Sequence, residues 1–248
     1  GHRNMEGETA FVQDLKERDS QLLSDNNTIA YRYSIGGGYK KSAEWEPLGP
    51  AGYYDTFGPE LSFAAALQSN AGPGSNNIAI AKFTHSGSQM NDWTPQGSMA
   101  ATRHLYPGFI EFIRESVREL QDRGHEVEVA GIFYHAGEND MSMPPYRREA
   151  AAWLVSTVRQ SRIDLCLPKL RWFISQQPPT DHESVNSINV TGDLEQLAAA
   201  DRHVTHIKAF DLPPQPRQLV LDTTGIVHLG QLMAVSFLRQ DQSDRSAE

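Results

Sequence analysis

Residues 127–134 form a run of alternating and then contiguous apolar side chains, and the run ends abruptly in a polar stretch, His135, Ala136, Gly137, Glu138, Asn139 and Asp140. A chain that stops building core at a strand's carboxyl end and starts presenting polar groups is behaving like a strand of an open α/β sheet. Ligand sites in such sheets form outside those ends. The run therefore constrains both the architecture and the place to look for chemistry.

The rest of the pattern agrees. Strands are predicted at 28–35, 77–83, 171–176 and 203–210, and helices at 59–67, 101–123, 145–161, 194–200 and 226–238. The helix at 101–123 carries Phe109, Ile110, Ile113, Val117 and Leu120 at helical spacing, with Gly124 as its stop. Pro59 stands in the first turn of its helix, where a missing N–H costs nothing. Strands alternating with helices imply a mostly parallel sheet covered on both faces. No composition shift divides the 248 residues, so 1–248 reads as a single domain, with a charged tail over 240–248 expected to fray.

Composition narrows the function. A formal charge of −9 opposes nucleic acid and anionic membrane surfaces as partners. No apolar run reaches the roughly 18 residues of a membrane helix. The single cysteine, Cys166, allows no internal disulfide and no cysteine metal cluster, and is expected to be a small buried hydrophobe. No metal site and no cofactor is predicted.

Five phrases occur in register: GHRNMEG at 1–7, FGPE at 57–60, KFTHSG at 82–87, YHAGEND at 134–140 and LDTTG at 221–225. Together they resemble the sialate O-acetylesterase-like branch of the SGNH hydrolases, which includes acetylxylan esterases. The resemblance implies a three-layer α/β/α sandwich with a flavodoxin-like, mostly parallel sheet. It also implies deacetylation of sugars by a Ser-His-Asp triad, a carbohydrate ligand, and a secreted or periplasmic setting. In the family a buried strand normally precedes the first phrase, and here the numbering opens on the phrase itself.

At the family's nucleophile position, within a GQSNM phrase, this chain has Arg3. A guanidinium stays protonated and cannot attack a carbonyl. The same alignment puts Val220 at the catalytic His and Arg217 at the Asp three residues earlier. Val shuttles no proton, and Arg cannot orient an imidazolium. His228, on the last helix, reads as a packing or surface histidine. Were a reactive serine present, Ser86 and Ser88 would be the first to test.

Other family positions are kept: Asn4, Gly87, His135, Glu138, Asn139 and Asp140. Asn139 is the expected oxyanion donor, Gly87 allows a backbone N–H to approach an oxygen, and Asp140 is expected to hold the loop. His2 and His85 are titratable neighbours of Arg3. Two readings of Arg3 stand: a clamp for a carboxylate or sulfate on a sugar, or an ion-pair partner of Glu6 or Glu138 that fills the vacated site. A third reading makes His135 or His2 a general base on water, oriented by Glu138. Tyr39, Trp45, Tyr53, Tyr54 and Trp93 flank the site, either as faces for sugar rings or as a satellite core. The chain is thus expected to act on, or only bind, acetylated or acidic sugars, without the usual acyl-enzyme.

Overall fold

The computed structural model describes residues 1–24, 28–70, 77–100, 102–136, 139–140, 143–176, 191–208 and 220–247. Three short helices open the chain: α1 (Arg3–Glu6), α2 (Val12–Arg18) and α3 (Gln21–Ser24). Strand β1 (Ala30–Ile35) follows, with two short antiparallel companions, β2 (Lys40–Lys41) and β3 (Glu46–Pro47). Then α4 (Glu60–Asn70) leads to β4 (Ala79–Phe83), which pairs parallel with β1. Beyond a 3-10 turn at Met90–Trp93 come α5 (Tyr106–Asp122), β5 (Ile132–Ala136), α6 (Pro144–Asp164), β6 (Trp172–Gln176), α7 (Thr191–Ala200), β7 (Val204–Ile207) and α8 (Thr223–Ala247). Strands β5, β6 and β7 form a parallel sheet in that order.

The expected three-layer α/β/α sandwich is present. On one face, α4 and α8 pack with Phe133 and Phe173 of the strands, whose rings stack 4.7 Å apart. On the other face, Trp93, α5 and α6 bury Tyr134, Trp172 and Ile174. Strand side chains alternate between the two faces, so one strand feeds both cores.

Observed boundaries differ from the predicted ones for local reasons. Helix α5 begins at Tyr106 rather than 101, because Pro107 belongs in a first turn. It ends as expected, with Gly124 at φ +86°. Strand β5 begins at Ile132 rather than 127, where Trp172 first offers it a partner. The last helix runs to Ala247 rather than ending at Leu238; Arg171 reaches Asp241 at 3.5 Å, and Thr205 donates to Gln240 at 3.5 Å. Residues 209 and 210 of the predicted strand at 203–210 lie outside the described residues.

Among the described residues no ladder joins β4 to β5, and β4 is less buried than its apolar sequence predicts: Ala79 and Ala81 are exposed. Gly1 stands at this junction. Its amino nitrogen donates to Phe83 O (2.8 Å), and its carbonyl accepts from His85 N–H (3.0 Å). That is the bonding pattern of one parallel-sheet residue beside Thr84. A Cβ on Gly1 would lie 3.4 Å from His135 O, so the same residue touches the end of β5. Helix α1 is thereby seated at the carboxyl ends of both strands.

Cys166 departs from expectation. It is exposed, with φ +57°, at the stop of α6. Cys166 N–H donates to Ile163 O and Leu167 N–H to Arg162 O, the bonds of a left-handed helix stop that glycine ordinarily fills. Cys166→Gly is expected to raise stability by about 1 kcal/mol in urea melts, by relieving the left-handed strain. Gly230 marks the opposite case, where α8 crosses α4. A Cβ there would sit 2.1 Å from Ser62 Oγ and 2.3 Å from Pro59 O. Gly230→Ala is expected to cost about 1–3 kcal/mol by the same measurement, since two helices would have to part.

Candidate functional site

Helix α1 is one turn long, and its end is forced by Gly7 at φ +87°, where a Cβ would strike Phe57 O at 1.7 Å. The turn sends alternate side chains to different surroundings. His2, Asn4 and Glu6 point inward and are buried, while Arg3 stays about one-third exposed.

Asn4 is the hub of a buried relay. Its Oδ1 accepts from Leu221 N–H at 2.8 Å, which fixes the orientation of the amide. Its Nδ2 therefore donates to His135 Nε2 at 3.1 Å. With that nitrogen accepting, the His135 proton sits on Nδ1 and is donated to Ser175 Oγ at 2.8 Å. His135 and Ser175 are both fully buried. A histidine that donates to a serine cannot deprotonate it, so this contact is no nucleophile–base pair. The expectation that His135 could act as a base on water meets the same obstacle: neither ring nitrogen offers a lone pair to solvent.

His2 is equally enclosed. Its Nδ1 donates to Ser88 O at 2.9 Å, and its Nε2 takes the Tyr134 hydroxyl. Burial holds its pKa down to about 3, so it is neutral. Ser88 Oγ lies 3.4 Å from the His2 ring but donates to His85 O at 2.7 Å and accepts from Trp93 Nε1 at 3.0 Å. Its proton is already committed, and the residue is fully buried.

One reading of Arg3 made Glu6 or Glu138 its ion-pair partner; Glu6 does not take that role, and Glu138 lies outside the described residues. The Glu6 carboxylate accepts from Thr84 Oγ1 (3.0 Å), Ser86 N–H (3.0 Å) and Gly36 N–H (3.3 Å), tying α1 to the loop after β4 and to the β1–β2 turn. Arg3 pairs instead with Glu8, Nε to Oε2 at 3.4 Å. The physical reason is Gly7. Its left-handed turn swings the chain back, so that Glu8 N–H donates to Arg3 O, and the two side chains meet on the outer surface. Glu8 also accepts from Ser86 Oγ. Sequence reading missed Glu8, because nothing in a linear pattern announces a chain reversal that depends on Phe57.

The remaining candidates line the same edge. His85 donates to Ser86 O at 2.7 Å and is half-buried. Gly87 has φ +77° with open space where a Cβ would be. Asn139 donates to Ser88 O at 3.0 Å. Asp140 receives Met90 N–H on both carboxyl oxygens, at 3.0 and 3.1 Å, so it holds the loop as expected. Val220 is buried next to Leu221, whose amide reaches Asn4, so position 220 lies against α1. His228 is exposed on α8. Trp45 and Trp93 are core residues, whereas Tyr39 and Tyr54 are exposed. Glu138 and Arg217 lie outside the described residues. Among the described residues, no group of three His, Cys, Asp or Glu side chains could hold a metal ion, and no helix is long and apolar enough to cross a membrane.

A family profile described as carbohydrate esterase, sialic acid-specific acetylesterase, matches residues 1–239. The chain belongs to this family. The fold agrees with solved structures. A protein from Arabidopsis thaliana superposes with a TM-score of 0.71 at 20% identity, over 96% of this chain and 95% of that one. A carbohydrate acetylesterase from Xanthomonas citri superposes with a TM-score of 0.65 at 14% identity, over 95% of this chain and 54% of that one. No curated protein matches the chain.

Two buried groups of the candidate site oppose each other in pH dependence. Burial raises Asp140 from 3.8 to about 7, while burial lowers His2 from 6.5 to about 3. The contribution of His2 is complete above pH 6.5 and lost as pH falls toward 3. That of Asp140 is complete below pH 3.8 and lost as pH rises toward 7. Between these values the slopes have opposite signs, each about 1.4 kcal/mol per pH unit per proton, and offset. Asp140→Asn keeps a carbonyl acceptor for Met90 and removes one slope. Urea melts from pH 4 to 6.5 should show a stability that climbs with pH in the variant by about 1 kcal/mol per unit more than in the parent chain.

Proposed function

We propose that this carbohydrate-esterase family member binds acetylated or acidic sugars through the inherited pocket and does not cleave them by the serine acyl-enzyme route. The observation that carries this reading is Arg3. The family's nucleophile position holds a guanidinium, paired with Glu8 on the outer surface, where Glu8 also accepts from Ser86 Oγ. Val220, at the position of the family's base, is buried against the same turn and offers only methyl groups. Among the described residues, Ser88 and Ser175, the serines whose hydroxyls lie near histidine rings, are sealed from solvent, and their protons or lone pairs are already engaged. What remains at the rim is a planar cation with polar neighbours, a combination suited to holding an oxygen-rich, anionic or acylated group.

The purified chain is expected to show no aryl acetate turnover that a serine-directed phosphonate abolishes. Phosphonate-sensitive turnover would overturn the reading. The combined substitution Arg3→Ser, Arg217→Asp and Val220→His should introduce phosphonate labelling at position 3. Arg3→Ala should weaken acetylated or acidic sugar binding about tenfold. It should cost under about 1 kcal/mol of stability, because an ion pair one-third exposed contributes little to folding. A large loss of stability with unchanged binding would make Arg3 a structural residue instead.

A further inference from the structure

Three tyrosines stand together in water beside the candidate site. Tyr39 is 77% exposed, Tyr53 38% and Tyr54 72%. Tyr39 and Tyr53 stack with ring centres 5.1 Å apart, and Tyr54 meets Tyr53 edge-on at 4.6 Å. The backbone forces this arrangement. Gly52 N–H donates to Thr56 O at 2.7 Å, and a Cβ on Gly52 would collide with Thr56 Oγ1, so the base of the 52–56 loop is closed too tightly to take a side chain inward. Residues 53–55 must project outward, and Asp55 accepts a left-handed φ of +52° to do so. Val12 N–H donates to Asp55 O and Phe57 N–H to Ala10 O, which fastens the loop to the body. Lys40 Nζ donates to Gly52 O at 2.8 Å and joins the loop to the β1–β2 turn that carries Tyr39.

That turn is also the wall of the candidate site. Gly36 N–H is bound to the Glu6 carboxylate, and a Cβ on Gly37 would meet the His85 ring at 2.8 Å. A Cβ on Gly36 would lie 3.2 Å from Tyr39 Cβ. The aromatic patch therefore adjoins the Glu6 and His85 side of the candidate site.

We infer that Tyr39, Tyr53 and Tyr54 form an aromatic platform continuous with the Arg3–His85 cleft, and that it takes the chain of an oligosaccharide whose decorated unit occupies the cleft. This rests on the sugar-binding reading above and deepens it from a single sugar to a polymer. Exposed, rigidly mounted aromatic rings are otherwise a liability, and contiguous patches of them mark binding surfaces. The chemistry selects a sugar chain over a protein. The patch is three phenol rings joined through the Lys40–Gly52 contact to the turn that holds Gly36, Gly37 and Gly38, so its hydroxyls and the Lys40 ammonium are interleaved with its ring faces in a way that a dry protein interface does not need. Ring faces suit the C–H faces of pyranoses, while the phenol hydroxyls, Lys40 and Asp55 suit their hydroxyl groups.

The test is calorimetric binding of O-acetylated xylo-oligosaccharides of one to six units, with deacetylated forms alongside. Affinity should rise about tenfold or more from one unit to six. Tyr39→Ala and Tyr54→Ala should flatten that rise and leave the acetylated monosaccharide unchanged; both positions are exposed, so circular dichroism melts should match the parent chain. Arg3→Ala should instead lower the affinity for every length by a common factor. Affinity independent of length, a rise that survives both tyrosine substitutions, or no binding of any member would overturn the platform. Failure of the underlying site reading looks different: no preference for acetylated forms and no Arg3 effect, with the tyrosine-dependent rise intact.

Discussion

Everything polar at this site hangs on the backbone of one glycine. Gly1 bonds to Phe83 and His85 on one side and touches His135 on the other, so it is the point at which the β1–β4 and β5–β7 sheets are held to a common edge. Two backbone hydrogen bonds are individually modest, about 1 kcal/mol each net. Their leverage is positional. They set the azimuth of α1, and the azimuth decides that His2, Asn4 and Glu6 go inward while Arg3 goes out. The aromatic packing around the junction supports the same placement, with Trp93 meeting Phe83, Phe109 and Tyr134 edge-on and lying tilted against the His2 ring.

Inside the turn, each buried polar group is answered by a specific partner. Asn4 joins the first helix to the start of the last one, through Leu221, and to the carboxyl end of β5, through His135. Glu6 joins α1 to the loop after β4 and to the β1–β2 turn. Lys82 and Glu60 form a buried pair at 2.9 Å, and Lys82 Nζ also donates to Glu6 O. A buried ion pair of this kind earns little net stability, yet removing one partner leaves a stranded charge and is strongly destabilising. The network therefore acts as a frame. It holds the rim residues Arg3, Glu8, His85 and Ser86 in place while using up the inner histidines and serines as structural bonds.

The sequence made the layers legible because periodicity is a local property. The run at 127–134, the helical spacing of Phe109, Ile110 and Ile113, and the stop at Gly124 each follow from burial on one face. Several candidate residues also lie along the carboxyl edge as expected, among them Asn4, His135, Asn139 and Asp140. Other assignments were out of reach. Glu6 or Glu138 was offered as the ion-pair partner of Arg3, whereas the ion pair goes to Glu8, because a turn at Gly7 is dictated by the carbonyl of Phe57, fifty positions away. Cys166 read as a buried thiol, but the left-handed stop of α6 turns it outward. The tyrosines at 39, 53 and 54 read like the tryptophans at 45 and 93, yet the two groups part: the tryptophans enter the cores and the tyrosines are pushed into water by the closed base of the 52–56 loop.

What the sequence determined by itself is the order and type of the main strands and helices from β1 onward, and the family, since these depend on composition at a place and on spacing along the chain. What only the tertiary structure decided is which side chains can reach solvent and in which protonation state they rest. Accessibility and tautomer are set by partners far apart in sequence: Asn4 by Leu221, His135 by Ser175, His2 by Tyr134 and Ser88. A histidine is the same letter whether its lone pair faces a substrate or a buried amide, and only the fold assigns it to one or the other.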